Sequence, residues 1–178
     1  MSFIYIVPIE TVDTAWLKPL ETAVERMFGL RTRRASGSSI DLDAAYDAGR
    51  RQYSSSGILL QLISNPPRDA SRILGVAGVD LFIPILTYVF GEAQLDGLGA
   101  VVSLHRLNPK FYGLPENSAL LTERLVKEAV HELGHTYGLI HCSSPACALS
   151  ASTYVEDIDQ KSSGLCAGCR QQIRPAAG

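Results

Sequence analysis

The strongest constraint on this chain is the stretch HELGHTYGLIHC at residues 131–142, where three of its four histidines fall within eleven residues. Apolar residues recur at helical spacing from about Asn117 to Gly138, which predicts a helix that carries the first part of this stretch. On a helix, residues four apart lie on one face about one turn apart. His131 and His135 can therefore bind one metal ion together.

Glu132 lies too far around the helix to be a third ligand in the same geometry, but it can reach a water molecule held at the metal. His141 follows His135 by six residues, and Gly138 allows the chain to reverse between them because glycine takes a positive φ without steric cost. The pattern predicts three histidine ligands, an open position for water and a carboxylate that takes the proton of that water. His-Glu-x-x-His alone arises by chance in many helices, whereas the combination with Gly138 and His141 is far rarer.

All four cysteines lie in the last quarter of the chain, at Cys142, Cys147, Cys166 and Cys169. A C-x-x-x-x-C pair followed by a C-x-x-C pair is spacing typical of metal ligands. Two disulfides would be unusual for a domain of this size in a reducing compartment. A structural zinc site is the favoured interpretation, with a redox pair and unlinked thiols as the alternatives.

The chain of 178 residues is long enough for one domain with a sizeable core, which a cleft can divide into two lobes. Its net charge of −2 gives no reason to expect nucleic-acid or membrane-surface binding. No apolar run reaches the roughly 18–20 residues that span a bilayer. The start, MSFIYIVPIE, lacks a basic region and indicates a first strand, not a signal peptide. We expect a cytoplasmic location.

Strands and helices alternate in the first part of the chain, which predicts a mixed α/β layer architecture. Three helices are expected. The first begins at Thr11 or Asp13 and runs to Met27, the second covers residues 54–63, and the third covers residues 117–138. The expected strands are residues 3–8, 30–36, 73–76, 86–94 and 99–107. Beyond Gly138 small and polar residues dominate with little periodicity, so we expect this part to need a cross-link to hold its shape.

The motif His-Glu-x-x-His-x-x-Gly-x-x-His at residues 131–141 is the extended zinc motif of the metzincin metallopeptidases. Cys142 directly after it, followed by the other three cysteines, makes the chain resemble the archaemetzincins, which occur in archaea and in some vertebrates. Their signature joins the catalytic histidines to a four-cysteine structural zinc site. The region that carries this resemblance covers about residues 117–170.

The resemblance implies an α/β (α+β), metzincin-like zinc-peptidase fold. Residues 1–138 would form an upper lobe with a mixed twisted sheet, helices and the active-site helix. Residues 139–178 would form a small, irregular C-terminal lobe stapled by structural zinc. The resemblance also implies that GAVVSLHRL at residues 99–107 is the edge strand to which an extended peptide adds itself through main-chain hydrogen bonds.

For the site, the resemblance implies that His131, His135 and His141 bind a catalytic zinc and that Glu132 is the general base. The four cysteines would bind the second, structural zinc. The family places a methionine two residues after the second cysteine, in a turn below the metal, and here that position is Leu149. Leucine is apolar and similar in volume, so we expect it to fill the same space.

The leading hypothesis is a zinc metallopeptidase that acts on peptide or protein substrates and functions as a monomer. Some family members are described as aminopeptidase-like. One alternative is a zinc-stabilised peptide-binding module with little or no hydrolytic activity, against which the intact Glu132 argues. Another alternative is a hydrolase of non-peptide amides. His105, the fourth histidine, lies at the end of an expected strand without a ligand partner nearby in sequence, and we expect a structural role for it.

Overall fold

The computed structural model describes residues 2–10, 12–37 and 39–173. Its α-helices are α1 (Leu17–Phe28), α2 (Ser55–Ser64), α3 (Ser118–Thr136), α4 (Val155–Gln160) and α5 (Ala167–Gln172). Its strands are β1 (Phe3–Ile9), β2 (Thr32–Arg34), β3 (Tyr46–Asp47), β4 (Gln52–Ser54), β5 (Ala70–Ala77), β6 (Leu81–Phe82), β7 (Gly91–Ala93) and β8 (Gly99–Ser103). Short 3-10 turns cover Thr14–Trp16, Asp43–Ala45 and Pro109–Tyr112.

The main sheet has the strand order β2-β1-β5-β8-β7, and β3, β4 and β6 form a small second sheet. Strands β2, β1, β5 and β8 pair in parallel, whereas β7 pairs antiparallel to β8. The inner strands β1 and β8 are buried along almost their whole length, as expected of parallel strands covered on both faces. The predicted mixed α/β architecture is confirmed.

The prediction that residues 99–107 form the edge of the sheet is wrong. The strand ends at Ser103 and lies between β5 and β7, where Val101 pairs with Gly75 on one side and with Glu92 on the other. All five of its residues are buried, because a continuous apolar strand needs a neighbour on each side and cover on each face. The edge strand on this side of the sheet is instead the short, half-buried β7.

The predicted strand at residues 86–94 is only partly correct. Residues Gly91–Ala93 form β7, while the preceding residues follow an irregular path with one isolated bridge between Val89 and Leu81. Several side chains of this irregular segment are exposed, including Leu86 at 50%. The segment forms a rim above α3, and its position matters for the site.

The predicted helices are confirmed, and their ends have the expected causes. Asp13 accepts a hydrogen bond from the Ala15 amide before α1, while the alternative cap Thr11 lies outside the described residues. Asn117 accepts a hydrogen bond from the Leu120 amide at 2.9 Å and so caps α3. Gly29 ends α1 in the left-handed conformation with a φ of 69°.

The C-terminal part of the chain is more regular than its sequence indicates, since it contains α4 and α5. Each has only six residues, too few for a recognisable apolar period. Large side chains of this part nevertheless reach the main core, where Leu149, Ile158 and Leu165 are buried. Apolar packing therefore supports this segment together with any metal. Within the described residues, no helix is both long and apolar enough to cross a membrane.

Candidate metal centre and active-site cleft

Helix α3 presents His131 and His135 to each other across one turn. Their Nε2 atoms lie 3.1 Å apart. The Nδ1 atom of His131 lies 2.8 Å from the carbonyl oxygen of Ala148, and that of His135 lies 2.7 Å from the carbonyl oxygen of Leu139. Because a carbonyl can only accept, both Nδ1 atoms carry the proton, and both Nε2 lone pairs are free to bind a metal.

A tight turn after α3 brings the third histidine to the same point. Gly138 has a φ of 84°, and its amide donates to the carbonyl of His135 at 2.9 Å. The Leu139 amide donates to the carbonyl of Gly134 at 3.2 Å, so the chain reverses immediately after the helix. As a result, one ring nitrogen from each of His131, His135 and His141 lies within 4.8 Å of the other two.

The spacing of these nitrogens fits a tetrahedral metal ion. Zinc–nitrogen bonds of about 2.0–2.1 Å at tetrahedral angles separate two ligand nitrogens by about 3.3 Å, close to the observed 3.1 Å between the Nε2 atoms. Exposure increases from buried His131 through half-buried His135 to exposed His141. The three histidines could therefore hold a metal from below and would leave one of its sides facing solvent.

Glu132 lies beside this histidine cluster and is only 6% exposed. Burial raises the pKa of its carboxyl well above the usual range, and the neighbouring Glu128 raises it further. Gly91 of the edge strand allows this packing, since a Cβ there would lie 2.8 Å from Glu132 Oε1.

A cleft of about 480 Å³ runs over the histidine cluster. Its upper rim is formed by residues 86–91, which are the irregular segment and the first residue of β7. Its lower rim is formed by residues 151–154. Glu128, His131, Glu132 and His141 form the floor between the two rims. The open side of the histidine cluster therefore faces this cleft.

A buried ion pair joins Glu128 of the cleft floor to Lys161 behind it. Lys161 Nζ is 2.8 Å from Glu128 Oε1, and both side chains are almost fully buried. The same ammonium lies 3.2 Å from the carbonyl oxygen of Ser150 and 3.4 Å from His131 Nδ1. Burial, reinforced by the charge of Lys161, lowers the pKa of His131 to about 3, so this imidazole is neutral and able to bind a metal at neutral pH.

The four cysteines form a second cluster, in which all four sulfur atoms lie within 4.8 Å of one another. Cys142 Sγ and Cys166 Sγ are 3.8 Å apart, and none of the four is in a disulfide. Zinc–sulfur bonds of about 2.3 Å at tetrahedral angles give a separation of about 3.8 Å, whereas a disulfide needs about 2.05 Å. The arrangement fits a closed tetrahedral metal site.

Backbone amides point at these sulfur atoms, as a thiolate cluster requires. The Ser144 amide donates to Cys142 Sγ at 3.4 Å, and the Cys166 amide donates to Cys147 Sγ at 3.3 Å. The Cys169 amide is the main cause that lowers the pKa of Cys166 to about 7. Burial, in contrast, raises the pKa of Cys169, so a bound cation is needed to hold all four thiols as thiolates.

Residues 147–149 link the two clusters. Cys147 belongs to the thiol cluster, the Ala148 carbonyl holds His131, and Leu149 is fully buried beneath α3. The Cys142 amide donates to the Leu149 carbonyl at 2.9 Å, which ties the residue after His141 to the same segment. The two clusters therefore share one segment of three consecutive residues.

Sequence patterns did not reveal Gly91, Glu128, Lys161 or Tyr88, all of which contact the site. Glu128 lies one turn before Glu132, and this spacing is the one signal that could have indicated it. Lys161 and Gly91 come close only through tertiary packing. His105 packs edge-on against Phe111 at 5.0 Å between ring centres, and among the described residues it is not part of either cluster.

Comparison with known proteins agrees with this geometry. The model of peptidase family M54 matches residues 68–175, which include both clusters. The chain belongs to this family, the archaemetzincins. An archaemetzincin from Methanocaldococcus jannaschii is 39% identical over 172 residues, covering 96% of this chain and 92% of the relative. One from Archaeoglobus fulgidus is also 39% identical over 171 residues, covering 96% of this chain and 98% of the relative.

Solved structures give the same result for the fold. The crystal structure of archaemetzincin from A. fulgidus complexed with malonate has a TM-score of 0.82 and 37% identity, covering 96% of this chain and 99% of that chain. A zinc-dependent peptidase from Methanocorpusculum labreanum has a TM-score of 0.88 and 28% identity, covering 96% of this chain and all of that chain. This archaemetzincin is therefore a zinc metallopeptidase, a hydrolase of peptide or protein substrates. The resemblance stated from the motif is confirmed, and the alternative of an inactive binding module is not favoured.

Proposed function

We propose that this chain hydrolyses peptide bonds at a zinc ion held by His131, His135 and His141, with Glu132 as the general base. One observation carries the proposal. The two helical histidines point their Nε2 atoms at each other from rings fixed by backbone carbonyls, next to the buried carboxylate of Glu132. No other group of described residues combines a metal-binding set with a neighbouring carboxylate in a cleft.

In the proposed reaction, Glu132 transfers the proton and the upper rim of the cleft aligns the substrate. The zinc, when bound, supplies Lewis-acid chemistry and makes water more acidic. The Glu132 carboxylate accepts a proton from the attacking water and then donates it to the departing amine. An extended substrate aligns along the free side of β7, where Gly91 lies beside Glu132 and where strand addition supplies main-chain hydrogen bonds.

The four cysteines hold a second, structural zinc in this proposal, giving two zinc ions per chain. The closed set of four sulfur ligands and the absence of a disulfide support this assignment.

We further propose that residues 1–138 and 139–178 act as two lobes with the cleft between them. Reduced thiols fit a reducing compartment, so we place the protein in the cytoplasm. We expect a monomer without nucleic-acid or membrane partners, in keeping with the net charge of −2.

A peptide-library experiment tests the proposed activity. The library is incubated with the purified protein, with protein stripped by a chelator, and with stripped protein to which zinc is restored. We expect defined cleavage products only in the first and third samples. A parallel panel of simple non-peptide amides addresses the remaining alternative. Cleavage of those amides without any cleavage of peptides would overturn the assignment of the substrate class.

A further inference from the structure

A hydrogen bond crosses the active-site cleft from one rim to the other. The hydroxyl of Tyr88, on the upper rim, donates to the carbonyl oxygen of Thr153, on the lower rim, at 2.8 Å. We propose that Tyr88 is a specificity-determining residue whose bridge to Thr153 blocks an extended substrate from continuing along the cleft and so limits the substrate to a few residues on that side of the cleaved bond. This inference rests on the proposed function of the cleft.

The upper half of the bridge is firmly supported. The guanidinium of Arg106 lies 4.0 Å from the centre of the Tyr88 ring, and Phe90 packs edge-on at 5.5 Å between ring centres. Arg106 in turn forms a two-point ion pair with Asp80, with nitrogen–oxygen distances of 2.6 and 2.8 Å. The side chain of Tyr88 is therefore held over the cleft by a fixed platform, not free to swing with the exposed rim.

The lower half of the bridge is fixed by the start of α4. Asp157 accepts hydrogen bonds from the amides of Thr153 and Tyr154 at 2.8 and 2.9 Å. These bonds hold the peptide unit before the helix, and with it the carbonyl that Tyr88 reaches. Both partners of the bridge are thus positioned by other contacts, so the bridge is part of the folded structure and does not depend on a bound peptide.

The distance between the bridge and the reacting centre limits how many substrate residues fit on that side of the cleaved bond. Gly91 lies beside Glu132, and Tyr88 is three residues away along the same rim. Three residues span at most about 10 Å, and an extended substrate advances about 3.3 Å per residue. At most about three substrate residues therefore fit between the cleaved bond and the bridge. The substrate class is therefore a flexible peptide or protein end, cleaved close to its terminus, and not an internal loop of a folded protein.

Peptides of graded length provide the test. A fixed cleavable core is extended by one to eight residues on its amino side or on its carboxyl side, and kcat/KM is measured for each peptide. For the wild type we expect a loss of at least tenfold when the extension exceeds about three residues on one side only. Tyr88→Phe, which removes the bridging hydroxyl and keeps the ring, should reduce several-fold the ratio of kcat/KM for the short peptides to kcat/KM for the long peptides. Tyr88→Ala should bring the ratio close to one.

Tyr46→Phe and Tyr46→Ala are the matched controls, because Tyr46 is a partly exposed tyrosine on the second sheet, outside the cleft. Both should keep the wild-type ratio. Equal cleavage of peptides with long extensions on both sides by the wild type would overturn the proposal. So would a Tyr88→Ala protein of normal melting temperature that keeps the wild-type ratio.

A binding measurement separates this proposal from the proposed function. The zinc-loaded Glu132→Gln protein is titrated with the same peptides, with and without the Tyr88 changes, and the affinity is measured by fluorescence anisotropy. The affinity should fall as the peptide is lengthened on one side, and Tyr88→Ala should abolish this fall. That result supports the bridge even when no peptide is hydrolysed. Affinity that does not depend on length in the Glu132→Gln protein overturns the bridge even when the wild type is an active peptidase.

Discussion

Leu149 occupies the gap that Gly134 leaves on the active-site helix. A Cβ atom at position 134 would lie 2.8 Å from Leu149 Cδ2, and the leucine side chain is fully buried. Gly134 directly precedes His135, and the residue before Leu149 supplies the carbonyl that holds His131. The side chain at position 149 therefore supports the turn of α3 that presents both helical histidines.

Replacing Leu149 tests this support. Leu149→Met keeps the volume, so it should change the free energy of unfolding by less than about 1.5 kcal/mol. Leu149→Ala leaves a cavity under the helix and should cost about 2–5 kcal/mol. Zinc at the histidine site should also be retained less well in the alanine variant. Melting temperature and zinc occupancy measure both effects, and an alanine variant like wild type in both would show that Leu149 does not support the site.

Glu132→Ala tests the general base. The change should leave zinc content and the melting temperature near those of the wild type, because the carboxylate faces the cleft and is not one of the clustered ligands. Peptide hydrolysis should fall by about 10²–10⁴-fold. Glu123→Ala, on an exposed face of the same helix, is the control and should keep full activity. Activity above about a tenth of wild type in Glu132→Ala contradicts the assigned role.

Gly91→Ala tests the close approach of the edge strand to the base. The added methyl would lie 2.6 Å from the Val101 carbonyl oxygen and 2.7 Å from Glu132 Cγ, so the strand, the base or both must move. We expect kcat/KM to fall at least tenfold, since a displacement of about 1 Å at a reacting centre can cost 10²-fold. Gly78→Ala, with no atom within 4 Å of the new Cβ, is the control. Equal activity of both variants would show that Gly91 has no role in positioning Glu132.

Local patterns were sufficient to predict α3 and the turn after it from the sequence. The apolar period, the cap at Asn117 and the left-handed Gly138 all act within a few residues of chain, where sequence spacing and spatial distance correspond. The same holds for the three histidines, because a helix and a glycine turn fix their relative positions almost completely. The candidate metal ligands were therefore the most predictable part of the molecule.

Tertiary pairing explains what could not be predicted. Whether residues 99–103 lie at the edge or inside the sheet depends on the pairing of β7 with β8, and a strand pattern in the sequence does not show which strands become neighbours. Lys161 meets Glu128 across 33 positions of sequence, and Tyr88 meets Thr153 across 65. Neither pair has a local signal, since each depends on how the C-terminal segment packs against the rest of the chain.

The metal content should be two zinc ions per chain, with different lability. The histidine site has an open side, so a chelator should remove its zinc first, whereas the closed thiol cluster offers no vacant position for attack. Elemental analysis during stepwise chelation measures both ions. One zinc or fewer per chain, in protein purified without chelator, would contradict the proposal of two sites.

Cys166→Ser should act as a structural lesion. It removes one ligand of the closed cluster, and the folding free energy that comes from metal binding is lost with it. Protease sensitivity of the segment after Cys142 should rise, and the histidine site should weaken indirectly through residues 147–149. Ser143→Ala, an exposed serine beside the cluster, is the control. A Cys166→Ser protein with wild-type melting temperature and protease resistance would show that the thiol cluster is dispensable.

The buried pair of Lys161 and Glu128 should reveal its role through the contrast between a single and a double variant. Lys161→Met keeps the length of the side chain but leaves the Glu128 carboxyl buried without its partner, at a cost of about 3–5 kcal/mol in the free energy of unfolding. The double variant Lys161→Met with Glu128→Leu removes both charges. Because apolar replacement of a whole buried pair is often neutral or stabilising by about 1–4 kcal/mol, the double variant should recover most of the loss. Urea denaturation of the zinc-loaded proteins measures both values. A loss of less than about 1 kcal/mol in the single variant would contradict this prediction. It would mean that the Glu128 carboxyl is already neutral and that the pair contributes little. Burial alone favours the neutral form, because it raises the pKa of Glu128.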